Sequence, residues 1–465
     1  MKRTLALCLS LLLLSGCAAA QTPKQQSPPD TAQQQTAPAK GESSEQTQPD
    51  EPAAEEPSLT WVTDLPKVSF VPDWTVETSS ETFLLELSDP KYQGRVVGSE
   101  GNRAAADYIA AEFERLGLQQ LPGLGGWKQG YPTSITAVLP GEAWLVAPDG
   151  SEAPLELGVN WAFRASPEPV DATLTLSTDD AFCDEGKGIW DAKLDLKGAS
   201  RRLSLTSGDV ANGTNYTNAT GTPSRILVSE EVYAQLNQPG YQIRLRLPDA
   251  VDELGTAENV VAYLPGRDST KAVLLGANFD GAGQCGPLLM AGAYNNASGV
   301  ATMLQTAAWL AKADELPCDV IFAAFNTEDN RENGSTALAN ELEGRYEQLR
   351  MLNLKCLGWQ GHPLTVYGTS ANANLRNSLA GGLGLQYADR DLGADEKAFY
   401  GEKMSAVVLF QDACLSDPEA NAVLNSTRDT AENLDFSLLD TTAQQLAAWV
   451  IERGDEPLNS HVVYW

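Results

Sequence analysis

The chain is poor in histidine, in basic residues and in long apolar runs. Only two histidines, His362 and His461, occur among 465 residues. Lys and Arg total 32 against 62 Asp and Glu, for a formal net charge of −30. So acidic a chain lacks the Lys/Arg patches that a phosphate backbone requires, which excludes nucleic acid as a partner class. Polybasic attachment to anionic lipid is excluded on the same ground. Beyond the first 16 residues no segment is apolar over the ~20 residues that a membrane-spanning helix needs. Seven cysteines are present, none in a C-x-x-C spacing, so a cysteine metal cluster is not indicated. Hydrophobic residues make up 42% of the chain, enough for a globular domain with a sizeable core.

The N-terminus carries a targeting pattern. Lys2 and Arg3 precede an apolar run over residues 5–14, followed by Leu14-Ser15-Gly16-Cys17. The run is too short to span a bilayer, and the pattern looks like a bacterial lipoprotein signal. That resemblance implies cleavage before Cys17 and acylation of Cys17. The mature protein is then expected at the bacterial cell envelope, lipid-anchored to the outer face of a membrane. Five further cysteines follow: Cys183, Cys285, Cys318, Cys356 and Cys414. An odd number leaves at least one unpaired within the chain, and the pairing stays open. Cys318 and Cys356 lie in or beside apolar strand-like runs and read as buried thiols.

Residues 17–57 are rich in Gln, Pro, Ser, Ala and Glu and lack aromatics, the composition of a disordered tether. About 40 such residues reach on the order of 35 Å as a flexible coil. Apolar residues at helical spacing, Ala106, Ile109, Ala110, Phe113 and Leu116, predict a helix over 102–116 that stops at Gly117. Short β-like runs and turn-rich stretches over 134–255 predict a β-rich insertion. From residue 259 the pattern alternates. Strands are expected at 259–264, 272–277, 319–325, 351–357 and 406–410, and helices at 297–311, 336–349, 371–380 and 435–452. Such alternation predicts an α/β domain, formed by 58–133 and 256–465, with a mostly parallel central sheet sandwiched by helices. In sheets of this kind ligands bind beyond the C-terminal strand ends.

The residues at those ends carry a resemblance. Gly94-Arg-Val-Val-Gly-Ser-Glu-Gly-Asn102 precedes the first helix. Asn259-Val-Val-Ala-Tyr-Leu-Pro-Gly266, Gly276-Ala-Asn-Phe-Asp280, Asn296-Ala-Ser-Gly299 and Phe325-Asn-Thr-Glu-Asp329 follow in order, then Gly334-Ser335 and Asp429-Thr-Ala-Glu-Asn-Leu434. In order and spacing these motifs resemble the co-catalytic zinc aminopeptidases of peptidase class M, twenty-eighth family, over roughly residues 84–454. The insertion resembles a protease-associated domain through Ile226-Leu-Val-Ser-Glu-Glu-Val-Tyr-Ala-Gln-Leu236.

The resemblance implies a two-zinc site made of two His, a bridging Asp and two further carboxylates, with a Glu as general base. Position by position this chain departs from it. Asn278 and Asn425 stand where the two histidines are implied, and Asn295 where the bridging Asp is implied. Glu328 keeps the general-base position, Asp329 a ligand position, and Lys355 replaces an Asp. Asp280 matches the residue that orients the first histidine. Neither His362 nor His461 falls at a ligand position.

Zinc prefers imidazole, thiolate and carboxylate, and an Asn amide is a weak neutral donor. The set therefore leads to the expectation of no bound cofactor and a vestigial Glu328. The Lys355 ammonium is expected to pair with Glu328 or Asp329 in place of a metal. Asn296 and Ser298 are expected to cap the following helix. The function expected is that of a membrane-anchored, non-catalytic pseudopeptidase that binds peptide or an exported protein in the old cleft. The alternative is an active zinc metallo-aminopeptidase with an atypical metal site.

Overall fold

The computed structural model describes residues 58–138, 141–163, 169–184, 189–194, 203–212, 225–247, 250–328, 333–401 and 403–457. Cys17, Asp329 and His461 lie outside the described residues, as does the expected tether.

A nine-stranded mixed sheet forms the centre of the α/β domain. Its middle four strands, Cys318–Phe325, Asp268–Asn278, Gln348–Lys355 and Met404–Phe410, are parallel neighbours in that order. Antiparallel strands flank them: Ala250–Leu264 on one side and the short Thr365–Gly368 on the other. The expected helix-covered sheet is thus present, with its parallel part in the middle. The parallel strands are buried on both faces, which is why they read as continuous apolar runs. Val273, Leu275 and Ala277 face one layer with Val320, Phe322 and Ala324. Leu274, Ile321, Ala323 and Phe325 face the other.

Helices Glu100–Arg115, Ser298–Leu310, Ala373–Leu383 and Phe436–Arg453 contribute to the first layer. Helix Asn333–Leu342 and the turn Asp395–Phe399 contribute to the second. The helix expected over 336–349 stops at Leu342. Tyr346 and Leu349 keep the apolar spacing, but Leu349 already belongs to the strand Gln348–Lys355. Helix Glu100–Arg115 is capped by Ser99, whose side chain accepts from the Asn102 amide.

The β-rich region hangs on two long strands. Lys128–Val138 and Ala250–Leu264 pair antiparallel from Lys128 opposite Val260 out to Val138 opposite Ala250. Between them lie a five-stranded sheet and a four-stranded sheet. Trp161, Phe163, Leu205, Ile226, Ile243 and Leu245 fill the core that these sheets share with helix Glu230–Leu236. The residues marked as its boundaries, 134 and 255, fall inside the two-stranded ladder and one step out of register with each other.

Candidate functional site

The C-terminal ends of the parallel strands converge with two loops. Strand Asp268–Asn278 delivers Asn278 and then Asp280. Cys318–Phe325 leads into Asn326, Thr327 and Glu328, and Gln348–Lys355 delivers Lys355. The segment before helix Ser298–Leu310 supplies Asn295 and Asn296, joined by a cis peptide bond. The loop after Val423 supplies Asn425, which sits at φ +53°.

These side chains bond chiefly to one another. Asn296 is fully buried and its amide nitrogen donates to Asn278 Oδ1 at 3.0 Å and to the Leu354 carbonyl at 2.9 Å. Its Oδ1 accepts from the Cys356 amide at 2.9 Å. One side chain therefore ties two adjacent strand ends together. Gly299 is needed beneath it, because a Cβ there would sit 2.3 Å from the Leu354 carbonyl oxygen and 2.6 Å from Asn296 Oδ1. Asn295 donates to Asn425 Oδ1 at 3.1 Å. Asp280 accepts from the Asn278 side chain at 3.3 Å and from the Glu328 amide at 3.0 Å.

Lys355 bonds Glu328 directly, each side chain being about one-sixth exposed. Burial alone pulls the Lys355 ammonium down, but the negative charge of Glu328 outweighs this and holds it above the ordinary lysine range. Asp395 lies in the same electrostatic neighbourhood and is 1% exposed. Neither of its oxygens has a partner of normal hydrogen-bond geometry, although the Ser335 hydroxyl is near enough to favour the ionised form. Burial, then the charge of Glu328, pushes its carboxyl well above the usual carboxylate range.

A buried frame supports the two loops. Arg95, 1% exposed, donates to the carbonyls of Phe279 at 2.7 Å, Leu87 at 2.6 Å, Ala291 at 2.7 Å and Gly292 at 2.9 Å. Asp429 accepts from the Tyr294 amide at 2.6 Å and the Asn295 amide at 3.2 Å. Its complete burial raises its pKa to about 7, against the opposing pull of those amides and of Arg95.

The expected capping of helix Ser298–Leu310 is not formed. The residue before the helix, Ala297, makes no side-chain cap. Asn296 is engaged by the strand ends, while Ser298 Oγ donates to the Tyr294 carbonyl at 2.9 Å and accepts from the Leu357 amide at 3.0 Å. His362 faces Asp417 at 3.1 Å in a loop. Sequence reasoning named neither Arg95 nor Asp429 as a site residue, though both stand inside the motifs it quoted. Asp395 lies in no motif, and only the folded chain brings it beside Glu328.

Residues 259–450 match the model of Peptidase family M28. No curated protein matches the sequence. Among solved structures, similarity extends over 83% of this chain and 98% of the peptidase M28 precursor from Shewanella amazonensis SB2B, at 14% identity and a TM-score of 0.56. It extends over 82% of this chain and 96% of BSAP, a zinc aminopeptidase from Bacillus subtilis, at 18% identity and a TM-score of 0.51. For the aminopeptidase from Aneurinibacillus sp. strain AM-1 the figures are 83% and 95%, at 15% identity and 0.50. At such identities the likeness is one of fold. It nevertheless overturns the expectation of no cofactor, because the family and the zinc aminopeptidase sharing the fold both point to zinc.

The described side chains do not fit a pair of zinc ions. Asn278, Asn295 and Asn425 offer neutral amides that already bond one another or Asn296, and Lys355 brings an ammonium against Glu328. Among the described residues no three His, Cys, Asp or Glu side chains are grouped to hold a metal. The donor set is unusual, but the matched segment and the fold agree on the family. Residues 259–450 thus match the model of Peptidase family M28, within a fold shared with these solved peptidases.

Proposed function

We propose that this protein is a membrane-anchored, extracytoplasmic member of its family that binds peptide, or the end of an exported protein, without hydrolysing it. The pairing of Lys355 with Glu328 carries the reading. A general base must hold its lone pair free for the proton it removes. A carboxylate committed to an adjacent ammonium is a poor base. The amides of Asn278, Asn295 and Asn425 favour neutral hydrogen bonding in the same space.

A cleft of about 630 Å³ beside the Asn425 loop supports the binding half of the proposal. It is lined by Leu85, Leu288, Ala291, Thr427 and Thr430 of the α/β domain and by Ala211 of the β-rich region. Thr427 Oγ1 donates to the Ala211 carbonyl at 2.6 Å, so the two regions meet at its edge. Anchoring rests on the Leu14-Ser15-Gly16-Cys17 pattern. Among the described residues no helix is long and apolar enough to cross a membrane.

A second reading, an active zinc aminopeptidase, is favoured by the family and by the fold shared with BSAP. Aminoacyl-nitroanilide hydrolysis by the purified protein, with and without added zinc, separates the two. The binding reading expects no turnover above background in either condition, alongside saturable association with short peptides. Chelator-sensitive turnover that Glu328→Gln abolishes would establish the second reading and end the first. Cys17→Ser is expected to move the protein from the membrane fraction to the soluble fraction.

A further inference from the structure

The cleft of about 630 Å³ beside the Asn425 loop combines apolar lining with charge of one sign. Leu85, on helix Ser80–Leu87, lines it and is 50% exposed. Leu288 and Leu289, from the short strand Leu288–Met290, line it as well. The charged residues of the lining are both acidic, Asp89 and Glu432. Neither takes part in an ion pair among the described residues. Asp89 Oδ1 accepts from the Lys91 amide at 2.8 Å, while the Lys91 ammonium is engaged by Glu86. Glu432 stands in the turn Ala431–Asn433, which is held in place where the Asn433 side chain donates to the Arg428 carbonyl at 2.7 Å.

We propose, on the peptide-binding reading above, that this cleft takes an extended peptide segment in which an apolar side chain adjoins a Lys or Arg. The apolar side chain covers Leu85 and Leu288, and the cation faces Asp89 and Glu432. Covering a half-exposed leucine removes apolar surface from water, which favours an apolar side chain over a polar one of similar size. Two carboxylates without a cationic partner attract Lys or Arg and repel Asp or Glu. The formal charge of −30 biases encounter in the same direction. Thr427 Oγ1 is committed to the Ala211 carbonyl at 2.6 Å, which leaves selection to charge and apolar contact. The segment need not end in the cleft, because Pro90, Ala211 and Glu432 leave its lining open to solvent. An internal stretch of an exported protein therefore fits as well as a free amino terminus.

The test is fluorescence anisotropy of the whole processed protein with short N-acetylated, C-amidated peptides that differ at one central pair: Leu-Lys, Leu-Gln, Leu-Glu or Ser-Lys. The Leu-Lys peptide should bind about 2–30-fold more tightly than Leu-Gln, the range for two exposed ion pairs. Leu-Glu should bind more weakly still, and 0.5 M salt should compress these differences. Ser-Lys should bind about 10-fold more weakly than Leu-Lys. Glu432→Gln should cut the preference for Leu-Lys over Leu-Gln about 2–5-fold. Leu85→Ser should weaken Leu-Lys while leaving Ser-Lys unchanged. Saturable binding with equal affinity for Leu-Lys, Leu-Gln and Leu-Glu overturns the proposal and leaves peptide binding standing. Binding that requires removal of the acetyl group overturns it in the same way. No saturable binding of any peptide, acetylated or free, overturns the peptide-binding reading along with it. Self-association of the protein that Leu85→Ser abolishes would assign the cleft to a second copy of the chain and overturn it too. Should either variant fail to fold, the wild-type ranking of the four peptides decides alone.

Discussion

Two arginines in this chain do opposite kinds of work. Arg95 is enclosed, and its guanidinium is consumed by four main-chain carbonyls from three segments of the α/β domain. Arg246, on the β-rich region, is about half exposed. It faces Glu142 at 3.1 Å and lies 5.9 Å from the centre of the Trp144 ring. The contrast shows what burial does to a polar contact. Water replaces any partner that Arg246 loses, but nothing replaces what Arg95 supplies, so its carbonyls would be left unsatisfied. The same rule orders the site. Its frame, Arg95, Asn296 and Asp429, is enclosed, while Asn295, Glu328, Lys355 and Asn425 remain partly open.

The largest expected effect is therefore at Arg95. Arg95→Met should cost about 3–5 kcal/mol of unfolding free energy, the range for stranding a buried polar network. Urea denaturation measures it, and a loss below about 1 kcal/mol would remove the distinction between frame and surface. The Lys355–Glu328 pair comes next. Each of Lys355→Met and Glu328→Gln should destabilise by about 1–3 kcal/mol. A double-mutant cycle should return a coupling energy of at least about 1 kcal/mol. Coupling near zero would mean that the two groups are merely neighbours.

Asp429 tests the frame through pH. Its folded-state pKa of about 7 lies above the ordinary carboxyl value, so the fold favours the protonated form. The stability this contributes is complete below about pH 4 and is lost as pH rises through 7. Acidic self-repulsion in so negative a chain runs in the same direction. The informative quantity is thus the difference between wild type and Asp429→Asn. The variant should show a shallower fall in melting temperature between pH 5 and 8, and parallel curves would place the titration elsewhere.

These residues differ in how far the sequence exposes them. The parallel strands were legible because burial on both faces writes an unbroken apolar run, as in Val273-Leu274-Leu275. The strands Thr365–Gly368 and Gln386–Asp389, toward one side of the sheet, are four residues each, too short to carry a period. The end of helix Asn333–Leu342 was obscured because Tyr346 and Leu349 continue its spacing while packing from a turn and a strand. At the site, Glu328 and Lys355 were singled out by the family resemblance at the strand ends, and the structure sets them in contact. The roles of Asn296 and Ser298 were not. Their position before a helix suggests capping, and only the neighbouring strand ends, Leu354 to Leu357, show which main-chain groups they satisfy. Asp395 is silent in sequence, since an Asp in a turn reads as solvated until the fold encloses it.

The smallest expected effect returns to the surface arginine. Arg246 is 54% exposed, as is Glu142, and its second acidic neighbour, Asp171, is 3.9 Å away and 67% exposed. Exposed pairs of this sort contribute about 0.2–1 kcal/mol, less once salt screens them. Proximity to Trp144 adds about 0.5 kcal/mol at most at such exposure. Arg246→Ala should therefore shift stability by less than about 1 kcal/mol, with the shift shrinking in 0.5 M salt. A loss as large as that of Arg95→Met, persisting at high salt, would mean that the β-rich region relies on its rim charges as the α/β domain relies on its buried ones.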